Sequence, residues 1–163
     1  MDDNLSEQIR QQRLDADFNV RYAEYVALRC RNRNLAARVI LGICTAGTVT
    51  AFLAKWMSPA VSVTLNSVAS IVSTVVLPQF KWAKVEGEAI AERKAWAGIL
   101  ADYELLSSST DDASEIRKEF SRLRRACARQ QGNGVILPRI KKLLNKAQDD
   151  VATYHQLEVP KGH

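Results

Sequence analysis

Residues 39–80 read VILGICTAGTVTAFLAKWMSPAVSVTLNSVASIVSTVVLPQF, and Lys55 is the only charged side chain among them. A spanning helix needs about 20 apolar residues, at a rise of about 1.5 Å, to cross roughly 30 Å of hydrocarbon. Residues 39–54 supply about 24 Å; Ala36, Ala37, Trp56 and Met57 extend that run, and Arg38 and Lys55 have stems long enough to snorkel. The second run opens with Ser58 as N-cap and Pro59 at the first helical position, and reaches Leu77 after about 28 Å. A connector of only Lys55 to Ser58 makes the two helices antiparallel neighbours. The stretch therefore predicts a two-transmembrane helical hairpin, with a soluble bundle of two fully buried helices as the competing reading.

The flanks set its expected orientation. Arg29, Arg31, Arg33 and Arg38 precede the first span and Lys81 and Lys84 follow the second, which by the positive-inside rule puts both termini in the cytoplasm of a bacterial inner membrane. Arg38, Lys55, Trp56, Lys81 and Trp82 are the expected interface residues. On the second helix Ser62, Asn66, Ser70 and Thr74 recur every four residues as a polar stripe, while Gly42, Ala46 and Thr50 make a small-residue face on the first. The polar stripe either packs helices together or lines a pore between copies of the chain, so a homo-oligomer in the lipid bilayer is expected.

Outside this stretch the chain is highly charged, with seven Arg against six acidic residues in 1–38 and fifteen Lys or Arg against twelve acidic residues in 81–163. Four Pro and seven Gly leave few places where a helix must stop. The expected class is all-α: an N-terminal cytoplasmic helix (1–38), the hairpin (39–80) and C-terminal cytoplasmic helices (81–163) that form a bundle. Leu5, Ile9, Leu14, Phe18, Tyr22, Tyr25 and Leu28 keep a helical stripe. Trp82, Val85, Ala89, Trp96, Ile99, Tyr103 and Leu106 occupy heptad positions with Glu92 as the polar exception, and pairing of these two helices gives a stalk. Two amphipathic helices follow, one with Ile116, Phe120, Leu123 and Cys127, the other restarted by Pro138 with Ile140, Leu144, Ala147, Val151 and Tyr154. Folding back on the stalk would bury both stripes.

No catalytic motif is present. There is no nucleophile elbow, phosphate loop or HExxH, and Cys30, Cys44 and Cys127 have no metal-ligand spacing. His155 and His163 stand at the tail without ligand partners in the sequence. Neither an enzyme nor a metal or organic cofactor is expected. Arg122, Arg124, Arg125 and Arg129, with Lys141 and Lys142, are candidates for an anionic ligand such as lipid headgroups, a nucleotide or an acidic partner, against the plainer reading of a solvated face. No nucleic-acid-binding motif accompanies them, and no nucleic acid is expected.

The order of parts, with Cys30-Arg31-Asn32-Arg33-Asn34 before the hairpin and Phe80-Lys81-Trp82 and Glu92-Arg93-Lys94-Ala95-Trp96 after it, resembles the SLATT-type two-transmembrane effectors of bacterial antiphage and conflict systems. The resemblance rests on architecture over residues 5–130. It implies an effector that a separate signal-producing or sensor protein triggers through the cytoplasmic helices, and that then oligomerises and permeabilises or depolarises the inner membrane. A phage holin-like lesion protein and a non-lethal membrane scaffold that docks a cytoplasmic partner are the alternatives.

Overall fold

The computed structural model describes residues 3–45, 81–109 and 112–155, with backbone alone at 40, 41 and 43–45. These form four helices: α1 (Asp3–Thr45), α2 (Trp82–Ser108), α3 (Ala113–Asn133) and α4 (Lys141–Tyr154). Among the described residues the all-α expectation holds. The transmembrane hairpin does not, because no helix among the described residues is long and apolar enough to cross a membrane.

The physical reason lies in α1. Of the uncharged run, the described part of α1 holds residues 39–45, about 10 Å of helix, and the rest of its length carries charges such as Arg29, Arg31, Arg33 and Arg38. The remainder of the expected hairpin, 46–80, lies outside the described residues. The inner-membrane placement, the cytoplasmic assignment of the termini and the pore-forming reading fall with the hairpin.

The chain divides into two compact units, 1–27 with 87–163, and 28–86. In the first, α1 is a long helix because nothing breaks it and local pairs support it: Arg10 to Glu7 at 2.8 Å, Gln8 to Asn4 at 2.8 Å and Arg21 to Asp17 at 2.9 Å. It runs antiparallel to α2, with Glu24 pairing with Arg93 at 3.4 Å and Ile9 sharing a core with Leu106.

That core joins Ile9 and Ala16 of α1, Trp96, Tyr103 and Leu106 of α2, and Ile116, Phe120, Leu123 and Cys127 of α3. Each large side chain so buried contributes about 1.5–3 kcal/mol relative to exposure. Tyr103 is at its centre: its ring meets Phe120 edge-on at 6.3 Å, and its hydroxyl lies 3.5 Å from the Cys127 Sγ. Burial, then the contact with Cys127, pushes the Tyr103 phenol up, and burial likewise pushes the Cys127 thiol up.

Asp112 is the N-cap of α3, and its carboxylate accepts a hydrogen bond from Ser114 Oγ at 2.8 Å, which holds its pKa below the usual value. After α3 ends at Asn133, residues 134–140 form a loop, and Pro138 sits within it rather than at the start of α4. Its carbonyl instead accepts a hydrogen bond from Tyr22. On α4, Ala147, Val151 and Ala152 are buried, while Tyr154 is exposed, and side-chain contacts tie the helix to α1. Lys146 Nζ stands 4.2 Å over the Tyr25 ring, and the Arg21 guanidinium 5.1 Å from the Tyr154 ring.

In the second unit the described residues are the C-terminal part of α1 and 81–86. Cys30 is buried there, and burial raises its thiol pKa. Leu28, Leu35 and Val39 are exposed. Lys81 has φ 33°, in the left-handed region that side chains with a Cβ visit rarely.

Candidate functional site

The loop 134–140 is tied down from two helices. On α2, Glu92 is 7% exposed. Its carboxylate accepts the Gln130 Nε2 at 2.9 Å and the backbone N–H of Val135. On α1, the Tyr22 hydroxyl donates to the Pro138 carbonyl and accepts the Ile140 N–H at 3.1 Å. Two buried polar side chains thus supply the partners that loop backbone needs when no helix or sheet does so.

Between these ties lies a cleft of about 470 Å³, within the roughly 300–1,000 Å³ range of ligand pockets. Phe18, Asn19, Tyr22 and Ala23 of α1 form one wall, Glu92 and Trp96 of α2 another, and Gln130 and Gln131 close the α3 end. The loop adds Gly134, Val135, Ile136, Leu137 and Arg139, and α4 adds Leu144. Phe18 and Tyr22 are stacked with ring centroids 6.2 Å apart. Ile136 is 94% exposed, an isoleucine presented to solvent at the cleft.

The lining offers amides, aromatic rings and aliphatic side chains around one carboxylate. No Ser, Thr, Cys, His, Lys or Asp lines the cleft, and its one carboxylate already accepts two N–H groups. Among the described residues no cluster of His, Cys, Asp and Glu could hold a metal ion.

A second polar cluster fastens the end of α4 to α1. Asp17, 6% exposed, accepts Arg21 Nε at 2.9 Å and faces His155 Nε2 at 3.1 Å, while Arg13 Nη2 stands 3.3 Å from His155 Nδ1. A guanidinium only donates, so Nδ1 accepts and the ring proton sits on Nε2 toward Asp17. The Arg13 Nε is buried with no hydrogen-bond partner among the described residues.

The residues singled out in the sequence lie elsewhere. Ala46, Thr50, Lys55, Trp56, Ser62, Asn66, Ser70 and Thr74 are outside the described residues. Gly42 and Arg38 are exposed on α1, Lys81 is exposed, and Trp82 is half-buried at the start of α2. Arg122, Arg124, Arg125, Arg129, Lys141 and Lys142 are exposed on α3 and α4, and none lines the cleft. Arg122 pairs with Glu119 at 2.8 Å, and Arg124 lies 6.0 Å from the Phe120 ring. Sequence reasoning marked Glu92 only as a heptad exception and gave no role to Asp17 or His155. An acid at a core position is the signal that could have found both Glu92 and Asp17.

No protein-family model, no curated protein and no solved structure matches the chain.

Proposed function

We propose that this chain is a non-catalytic receiver, a helical bundle that binds a segment of a separate partner protein in the cleft beside the 134–140 loop. The observation that carries this reading is the cleft itself. It combines aromatic and aliphatic walls, a few amides and one buried carboxylate, without a free nucleophile or base. The exposed Ile136 supports it, because an aliphatic side chain fully in solvent beside an apolar cleft gains from being covered. From the resemblance to SLATT-type effectors this reading keeps one expectation, that a separate protein delivers the trigger. It does not include a membrane lesion.

The test is to express the chain with the products of its neighbouring genes and measure which one co-purifies with it. The Ile136→Lys variant should lose that partner while melting at the wild-type temperature. Equal recovery of the partner by both forms would refute the cleft as the docking site.

A further inference from the structure

Glu92 is a buried acid whose observed hydrogen bonds both come from neutral donors, the Gln130 amide and the Val135 backbone N–H. A carboxylate offers about four acceptor positions, and these donors occupy two of them. Such a group, largely withdrawn from water, gains from a cation far more than a surface acid does. Around it the same cleft places three aromatic rings, Phe18, Tyr22 and Trp96. Aromatic faces attract organic cations, and the attraction grows as water is excluded. An acid and several rings around one cleft are complementary to a charged head on an aliphatic stem.

We infer that the cleft takes a basic side chain, Lys or Arg, from the partner segment, with Glu92 as its counter-charge and the rings along its stem. This rests on the receiver reading above and gives the anchor of that interaction. Arg139 also lines the cleft, but it is exposed and its charge is screened by solvent. With Asn19 and Gln131 it suits the backbone carbonyls on either side of the anchor. Val135, Ile136 and Leu137 supply the aliphatic surface for the anchor's neighbours.

The probes are acetylated, amidated hexapeptides rich in Leu that differ only at one central residue: Arg, Lys, norleucine or Glu. Each is titrated into the intact protein while the Trp96 indole and Val135 amide signals are followed by NMR. The Arg and Lys peptides should shift both signals, and the norleucine and Glu peptides should bind at least about tenfold more weakly. Glu92→Gln, which keeps an acceptor for the Val135 N–H, should remove the preference for the basic peptides. Phe18→Leu should weaken them severalfold and serves as an independent variant if Glu92→Gln loosens the loop.

Equal binding of the norleucine peptide, an unaltered preference in Glu92→Gln, or no shift from any peptide would each overturn the basic anchor. Partner capture that depends on Ile136 but shows no basic preference would leave the receiver reading standing and remove only this inference.

Discussion

The carboxylate of Glu92 accepts the Val135 N–H across the space that Gly134 leaves by having no Cβ. A Cβ on Gly134 would lie 2.4 Å from the Gln130 carbonyl oxygen and 2.6 Å from Glu92 Oε1. The first of these is backbone, held by the Gly134 N–H to Gln130 bond at 2.7 Å, and cannot swing aside. Gly134→Ala should therefore destabilise the fold by about 1–3 kcal/mol, as overpacking of a tight site does. Urea unfolding of the two proteins measures this directly, and an unchanged midpoint would contradict it.

The second tie makes a separate prediction. Tyr22→Phe removes both the donor to Pro138 and the acceptor for Ile140 N–H while leaving the ring stacked on Phe18. The expected loss is about 1–3 kcal/mol, the range for partly buried groups left without a partner. It should be concentrated in the loop, so the Ile140 amide should exchange its hydrogen faster while amides in the middle of α2 change little. Uniformly faster exchange would mean that Tyr22 supports the bundle rather than the loop.

Asp17 and His155 are far apart in sequence but 3.1 Å apart in the fold, and both side chains are largely buried. Asp17→Asn and His155→Ala should each destabilise the docking of α4, and the double variant should lose less than the sum. A coupling of about 0.5–3 kcal/mol is expected for residues in one such network. Additive losses would show that the two residues act independently.

These sites differ in how far the sequence disclosed them. The stripe of α3 was legible in full, since Ile116, Phe120, Leu123 and Cys127 are the residues it buries. In α2 the heptad pattern placed Ala89, Trp96, Tyr103 and Leu106 inward, together with Glu92. α1 was less legible: of its expected stripe Ile9 and Tyr22 are buried, while the other buried positions include Ala16, Asp17, Ala23, Val26, Ala27 and Cys30. Small or acidic residues such as Ala16, Asp17 and Ala23 carry little hydrophobic signal, whereas the larger Leu14, Phe18 and Tyr25 of the expected stripe are only half-buried. The uncharged run after Arg38 misled for a related reason. Hydropathy measures what a segment could cross, whereas in the described residues only its first turns appear, as the end of a charged helix. The cleft was invisible, because it depends on α1, α2 and a loop meeting, and Tyr22 and Glu92 gain their roles from backbone groups with no signature in sequence. Pro138 shows this most directly, since the usual preference for proline at a helix start gave way to a carbonyl held by Tyr22.

Alkali should act on the contact between α1 and α4. The Tyr25 hydroxyl donates to the Asp150 carboxylate, and chiefly that bond, with burial second, pushes the Tyr25 pKa up to about 12. An unfolded tyrosine titrates near 10. The folded value is the higher, so the folded state favours the protonated phenol. The stability gained from this bond is full below about pH 10 and disappears as pH rises through about 12. Tyr25→Phe lacks it at every pH. The difference in unfolding free energy between wild type and Tyr25→Phe should thus be constant from neutral pH to about 10 and close between about 10 and 12. A gap that stayed constant through this window would mean that Tyr25 and Asp150 do not share a proton-dependent bond, and the contact between α1 and α4 would then rest on its other links, among them Asp17 to His155 and the Arg21 guanidinium beside the Tyr154 ring.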